Sequence, residues 1–183
     1  MKKSIVINMM GGPGAGKSTM ASLLFAKMKM AGISCEYVTE YAKDMVWENR
    51  YNILNDQLYI LTKQYRKLKR INGEVDVIIT DSPIINSIYY NSKIKDNMDK
   101  ISDKIIVELV GELCDKFNNY YYLIERNHSY EHNGRYQTEE ESNIVSSEIK
   151  SILDNFNIKY EKMISCEESV NKILEEIKYK LNA

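Results

Sequence analysis

Near the start of the chain, Gly11-Gly12-Pro13-Gly14-Ala15-Gly16-Lys17-Ser18-Thr19 matches the phosphate-binding pattern G-x-x-x-x-G-K-[ST], and this constrains the fold more than any other stretch. The context is the one the pattern requires. Ser4 to Met10 reads as a short apolar strand, and Met20, Leu23, Leu24 and Met28 follow at helical spacing until Gly32. The glycines let the backbone of Gly12, Pro13, Gly14, Ala15 and Gly16 approach phosphate oxygens closely, and the helix N-terminus behind them adds a positive dipole end. Lys17 supplies a point charge to the outer phosphates, and the Ser18 hydroxyl is placed for a magnesium ion bridging them. Thr19 either caps the helix or faces the nucleotide. A glycine-rich turn with no ligand would only destabilise the connection, so the sequence points to nucleotide binding.

Further along, strands and helices alternate, as in a parallel sheet covered on both faces. Strands are expected at Ser34 to Thr39, Val75 to Thr80, Tyr120 to Ile124 and Ile158 to Ile164. Helices are expected over about 55–71, around Ile105 to Phe117, after a Thr138–Glu141 capping box, and after a second box at Ser165–Glu168. The expected fold is α/β: a three-layer α/β/α P-loop NTPase fold with a five-stranded parallel sheet and an arginine-bearing lid. With 183 residues and 44% hydrophobic content the chain can bury one sizeable core, which predicts a single domain over 1–183 with the lid at about 125–137.

In open parallel sheets ligands bind beyond the carboxyl ends of the strands, so the polar residues there are the candidates for chemistry. The second strand delivers Glu40 and Tyr41, the third Asp81 and Ser82, and the fourth Glu125 and Arg126. Asp81, after an apolar strand, has the placement of a magnesium-holding aspartate opposite the phosphate loop, although Asp-Ser-Pro also suits a helix cap. Glu40 has the position of a base that takes the proton of an acceptor hydroxyl, with Asp81 competing for that role. Lys43 and Arg50 are expected to continue a helix in which Trp47 either lines a ring-binding pocket or joins the core. Arg126 and Arg135 flank a polar stretch without periodicity, as in a lid that neutralises charge on a transferred phosphoryl group. Within that stretch His128-Ser129-Tyr130-Glu131-His132 matches a zinc-protease pattern, but the Asn133-Gly134 turn signal argues against the helix it requires.

The order of phosphate loop, Thr39-Glu40-Tyr41-Ala42, Asp81-Ser82-Pro83 and arginine lid resembles the small P-loop kinases of nucleosides and nucleotides. The Glu-Tyr-Ala segment looks most like ribosylnicotinamide-kinase domains, and the chain is also similar to ATPase-like P-loop proteins common in bacteriophages. The resemblance implies ATP and Mg2+ as cofactors, Lys17, Glu40, Asp81, Arg126 and Arg135 as catalytic residues, and Ser18 and Asp81 as metal ligands. By likeness to deoxynucleoside kinases, Glu40 is the base, and Trp47, Gln57 and Gln64 fall where those enzymes have their substrate-pocket aromatic and glutamines, beside Tyr41. Those kinases carry Glu-Arg-Ser after the third strand, where this chain has Asp81-Ser82-Pro83.

The expected function is transfer of the γ-phosphate of ATP to a nucleoside, nucleotide or related small molecule. The alternatives are a kinase acting on a nucleic-acid strand end or modified base, and an NTPase whose hydrolysis drives a partner. A net charge of −1 argues against extended nucleic-acid contact. No apolar run approaches a membrane span, and Met1-Lys2-Lys3 passes at once into the first strand without the apolar region of a signal peptide. Cys35, Cys114 and Cys166 show no C-x-x-C pairing and read as reduced thiols, so the expected setting is cytoplasmic, or the host cytoplasm for a viral protein. A homo-oligomer stays open, with no clear interface stripe.

Overall fold

The computed structural model describes residues 3–95, 100–127, 130 and 138–182. Five strands, β1 (Ile5–Met10), β2 (Cys35–Val38), β3 (Val77–Thr80), β4 (Asn118–Glu125) and β5 (Tyr160–Ile164), form one sheet in the order β2-β3-β1-β4-β5. Every pairing is parallel, with Ile5 opposite both Val77 and Asn118. The helices are α1 (Lys17–Met30), α2 (Tyr41–Trp47), α3 (Gln57–Lys69), α4 (Asn86–Lys93), α5 (Asp103–Cys114), α6 (Glu139–Asn155) and α7 (Glu167–Asn182), with a 3-10 turn at Tyr51–Asn55. This is the expected three-layer P-loop NTPase fold.

Alternation along β1 builds the two cores. Ile5, Ile7 and Met9 face one way and pack with Leu24 and Met28 of α1 and Val170, Ile173 and Ile177 of α7. Val6 and Met10 face the other way, toward Leu61 of α3, Val110 of α5 and Ile149 of α6. β1 and β3 are buried on both faces, which explains their continuous apolar runs.

Several local expectations need correction. α2 stops at Trp47, so Arg50 lies outside it: Asn49 takes φ 57° while the Asn49 and Arg50 N–H groups bond back to Val46 and Met45, closing the helix. After the Asp-Ser-Pro that the sequence analysis weighed as a helix cap, the short and polar α4 begins at Asn86, beyond Pro83. In α5 Ile106 is buried, whereas Ile105 is 58% exposed. The Thr138–Glu141 capping box is present and opens α6. At α7 the box expected at Ser165 is displaced: the helix starts at Glu167, and Cys166 offers the carbonyl for the first helical bond, from Val170 N–H. Cys35, Cys114 and Cys166 are free thiols, Cys35 buried and the others partly so. Among the described residues no helix is long and apolar enough to cross a membrane.

α6 lies directly on the phosphate loop. Ser146 Oγ accepts the Gly12 N–H at 2.9 Å, and Ser142 Oγ donates to the Pro13 carbonyl at 2.5 Å. A Cβ at Gly12 would collide with the Ser142 carbonyl and stand 2.6 Å from Ser146 Oγ. Gly12→Ala is therefore expected to push α6 off the loop and destabilise the fold by about 1–3 kcal/mol, measured by urea unfolding. An unchanged midpoint would show that α6 is not seated as described.

Candidate active site

The site lies at the carboxyl edge of the sheet, where β1 runs into the phosphate loop. Gly14 and Gly16 take φ of 76° and 91°, a conformation that favours glycine, and Gly16 turns the chain directly into α1. Lys17 Nζ donates to the carbonyls of Gly11 and Gly12, each at 2.9 Å, so its charge sits over the loop. Ser18 and Thr19 occupy the first turn of α1 and are exposed.

Glu40 sits at the N-cap of α2, and Asp81 follows β3 directly. Gln64 of α3 brings these two ends together. Its Oε1 accepts the Tyr41 N–H at 3.0 Å, and its Nε2 lies 3.5 Å from Thr80 Oγ1. Gln64, expected among the substrate-binding residues, is buried and through these contacts ties α2 to β3. Burial raises the proton affinity of Glu40; the Lys17 charge opposes this and the Asp81 carboxylate adds to it. Glu40, Lys17 and Asp81 thus share one electrostatic field.

Asp81 is only 7% exposed, and its Oδ1 is buried with no hydrogen-bond partner. A buried carboxylate oxygen left open is costly unless something positive meets it. Together with the Ser18 hydroxyl it offers hard oxygen donors of the kind Mg2+ takes, so the residues fit that ion. Among the described residues no cluster of three or more His, Cys, Asp or Glu could hold a metal, and both histidines of the zinc-like pattern lie outside the described residues.

The remaining candidates are placed as follows. The Tyr41 hydroxyl is 3.1 Å from that of Tyr59, and Lys67 stands 5.6 Å from the Tyr41 ring, so the side chain leans on α3. Trp47 is 75% exposed at the end of α2. Gln57 is buried and donates to the Leu54 carbonyl at 2.7 Å. Arg126 is bound to α6: its guanidinium reaches Glu139 Oε1 at 2.7 Å and Asn143 Oδ1 at 2.9 Å, and lies 4.9 Å from the Tyr130 ring centroid. Its Nε is buried without a partner. Arg135 lies outside the described residues. Beside Ala15, a cleft of about 390 Å3 opens between Arg126, Asn143, Ser146 and Lys150.

Two tyrosines the sequence reading passed over lie in the electrostatic surroundings of the site, Tyr90 at 37% exposure. Burial pushes the Tyr90 phenol up, and the nearby Glu40 carboxylate pushes it further. Tyr37 of β2 is held up in the same way, first by burial and then by Asp81. Neither stands in a motif, and each reaches the site only through the packing of its element.

Comparison with known proteins bears on this geometry. A family model described as an AAA domain matches residues 6–169, which takes in the phosphate loop, Glu40, Asp81 and Arg126. Among curated proteins there is no match. Among solved structures, a NadR protein in complex with NR matches with a TM-score of 0.68 and 18% identity, over 94% of this chain and 51% of that one. This chain thus spans about half the length of that NadR chain, and at such identity the likeness is one of fold. Because the family model matches most of the sequence, from β1 into α7, the chain belongs to this AAA domain family of P-loop proteins.

Proposed function

We propose that this chain is an ATP- and Mg2+-dependent phosphotransferase that moves the γ-phosphoryl group of ATP to a nucleoside, nucleotide or related small molecule. The observation that carries the reading is Glu40, a desolvated carboxylate of raised proton affinity standing in the field of Lys17 and Asp81. Such a group can take the proton of an acceptor hydroxyl as that oxygen bonds to the γ-phosphorus, while the bond to the β,γ-bridging oxygen breaks and ADP leaves. Lys17 and the amides of residues 12–16 hold the phosphates. Ser18 and Asp81 would hold Mg2+, which supplies positive charge to the bridged phosphates. The open Oδ1 of Asp81 favours this metal role for it and leaves the base role to Glu40.

Tyr90, near Glu40, would border the acceptor. Arg126 would exchange Glu139 for a phosphate oxygen, and Arg135 would act from the lid. The fold likeness to a NadR protein holding NR supports a nucleoside-like acceptor. Membership of an AAA domain family favours a second reading, hydrolysis of ATP to drive a partner. That reading gives Glu40 water rather than a hydroxyl to deprotonate.

Two variants test the proposal. Lys17→Ala should keep the far-ultraviolet circular dichroism while ATP affinity falls roughly tenfold or more, the loss of a charge-assisted contact. Undiminished binding would remove the phosphate role of the loop. Glu40→Gln should lower transfer by about 10²–10⁴-fold with ATP binding retained. In the wild type the acid limb of the rate profile should lie above pH 4.5, since Glu40 holds its proton beyond the ordinary carboxyl value. The sign for stability follows: with the folded pKa above the unfolded one, ionised Glu40 destabilises the fold above its folded pKa, and that cost vanishes as pH falls through it. Glu40→Gln should therefore raise the thermal midpoint at neutral pH. A lower midpoint together with unchanged transfer would contradict the assignment.

A further inference from the structure

Arg126 is the first residue past β4, and the phosphate loop begins beside it. Met10 pairs with Leu123, and a Cβ on Gly11 would stand 2.8 Å from the Ile124 carbonyl oxygen, so the two backbones leave the sheet together. The Arg126 guanidinium turns to α6, and a hydroxyl of that helix joins it back to the loop. Ser142 Oγ lies 2.5 Å from the Pro13 carbonyl oxygen and 3.3 Å from Arg126 Nη2, and Ser142 is only 1% exposed.

The neighbours of that hydroxyl fix its orientation. A carbonyl oxygen only accepts and a guanidinium only donates, so Ser142 gives its single proton to Pro13 and receives Arg126 Nη2 on a lone pair. The placement of Ser142 follows from the start of α6: past the Thr138–Glu141 capping box, the Ser142 N–H bonds to the Thr138 carbonyl at 3.0 Å. One turn further, Ser146 Oγ takes the Gly12 N–H, so the same face of α6 is seated twice on the loop.

The two arms of the guanidinium are held differently. Nη2 reaches the buried Ser142, and also Asn143 Oδ1 at 2.9 Å. Nη1 reaches Glu139, whose side chain is 53% exposed. An ion pair to a carboxylate facing water is worth little, whereas a buried hydrogen bond is strongly unfavourable to leave unmade. Nη1 is therefore the arm that can leave Glu139 for a phosphate oxygen, and Nη2 is the pivot on which it turns.

We infer that Ser142 is the positioning residue of Arg126: its hydroxyl holds Nη2 in register with Pro13, so that Nη1 meets the transferred phosphoryl group at the place the loop sets for it. The inference rests on the reading of Arg126 as a phosphate contact. It adds a residue of α6 that acts through Arg126.

Ser142→Ala removes the hydroxyl and keeps a good helix former. Calorimetry on the full chain compares affinity for MgADP with affinity for MgADP plus aluminium fluoride, which mimics the phosphoryl group in transfer. Ser142→Ala should bind MgADP as wild type does, while its affinity for the aluminium fluoride complex falls about tenfold, the size of a lost hydrogen bond to a charged group. In an Arg126→Ala background, adding Ser142→Ala should cause no further loss, because a positioning residue has nothing left to position.

An equal loss in both backgrounds would overturn the inference, placing the effect of Ser142 in the loop rather than in Arg126. Weakened MgADP binding in Ser142→Ala would overturn it as well, since a general loosening of the loop affects both ligands. Undiminished affinity for the aluminium fluoride complex in Ser142→Ala, beside a loss in Arg126→Ala, would overturn it and leave the phosphate role of Arg126 intact. Wild-type protein whose MgADP affinity is indifferent to aluminium fluoride, or an Arg126→Ala variant that equals wild type, would overturn that phosphate role and the inference with it.

Discussion

Two carboxylates, Glu40 and Asp81, are held in each other's field at the carboxyl edge of the sheet, and the rest of the site is arranged around that constraint. Like charges removed from water repel, and burial raises the proton affinity of Glu40. Lys17 is the cation that offsets this, raised over the loop by two backbone carbonyls. The orphaned Oδ1 of Asp81 calls for a second positive charge at the same place. On the proposed reading, phosphate, metal and acceptor would complete this arrangement, and raised carboxylate pKa values such as that of Glu40 collect at functional sites.

The scaffold meets the constraint with neutral groups. Gln64 spends both ends of its amide on fixing α2 against β3, so Glu40 and Asp81 are located by a buried side chain rather than by loop residues alone. Ser142 and Ser146 of α6 grip the phosphate loop from the other side, and Arg126 is bound to the same helix. A shift of α6 would therefore be felt at Gly12, at Pro13 and at Arg126 together. Phosphate loop and α6 form one mechanical unit.

Much of this was legible in the sequence. The phosphate loop carries its own motif, and the apolar runs of β1 and β3 announce a sheet buried on both faces. Glu40 and Asp81 could be named because residues just past parallel strands meet at one edge. Other parts were hidden for physical reasons. Tyr37 reads as an ordinary strand tyrosine, and its place depends on the register that sets it opposite Ile79. The α6 serines look like the polar face of an amphipathic helix, and only their approach to Gly12 shows otherwise. α4 contains few apolar residues, because Asn91 at its centre is buried by hydrogen bonds to Ile101 and Asp103 rather than by oil-like packing. Gln64 was expected in the substrate pocket by likeness to deoxynucleoside kinases, and its contacts with Tyr41 and Thr80 depend on packing that the sequence does not show.

The most direct test of the central claim follows the fate of the γ-phosphate. Purified protein is incubated with Mg2+ and γ-labelled ATP, with and without a panel of nucleosides and mononucleotides, and labelled acceptor and free phosphate are separated. The account predicts a labelled acceptor formed faster than phosphate is released in its absence. Phosphate released at the same rate throughout, with no acceptor labelled, would contradict it and favour hydrolysis coupled to a partner.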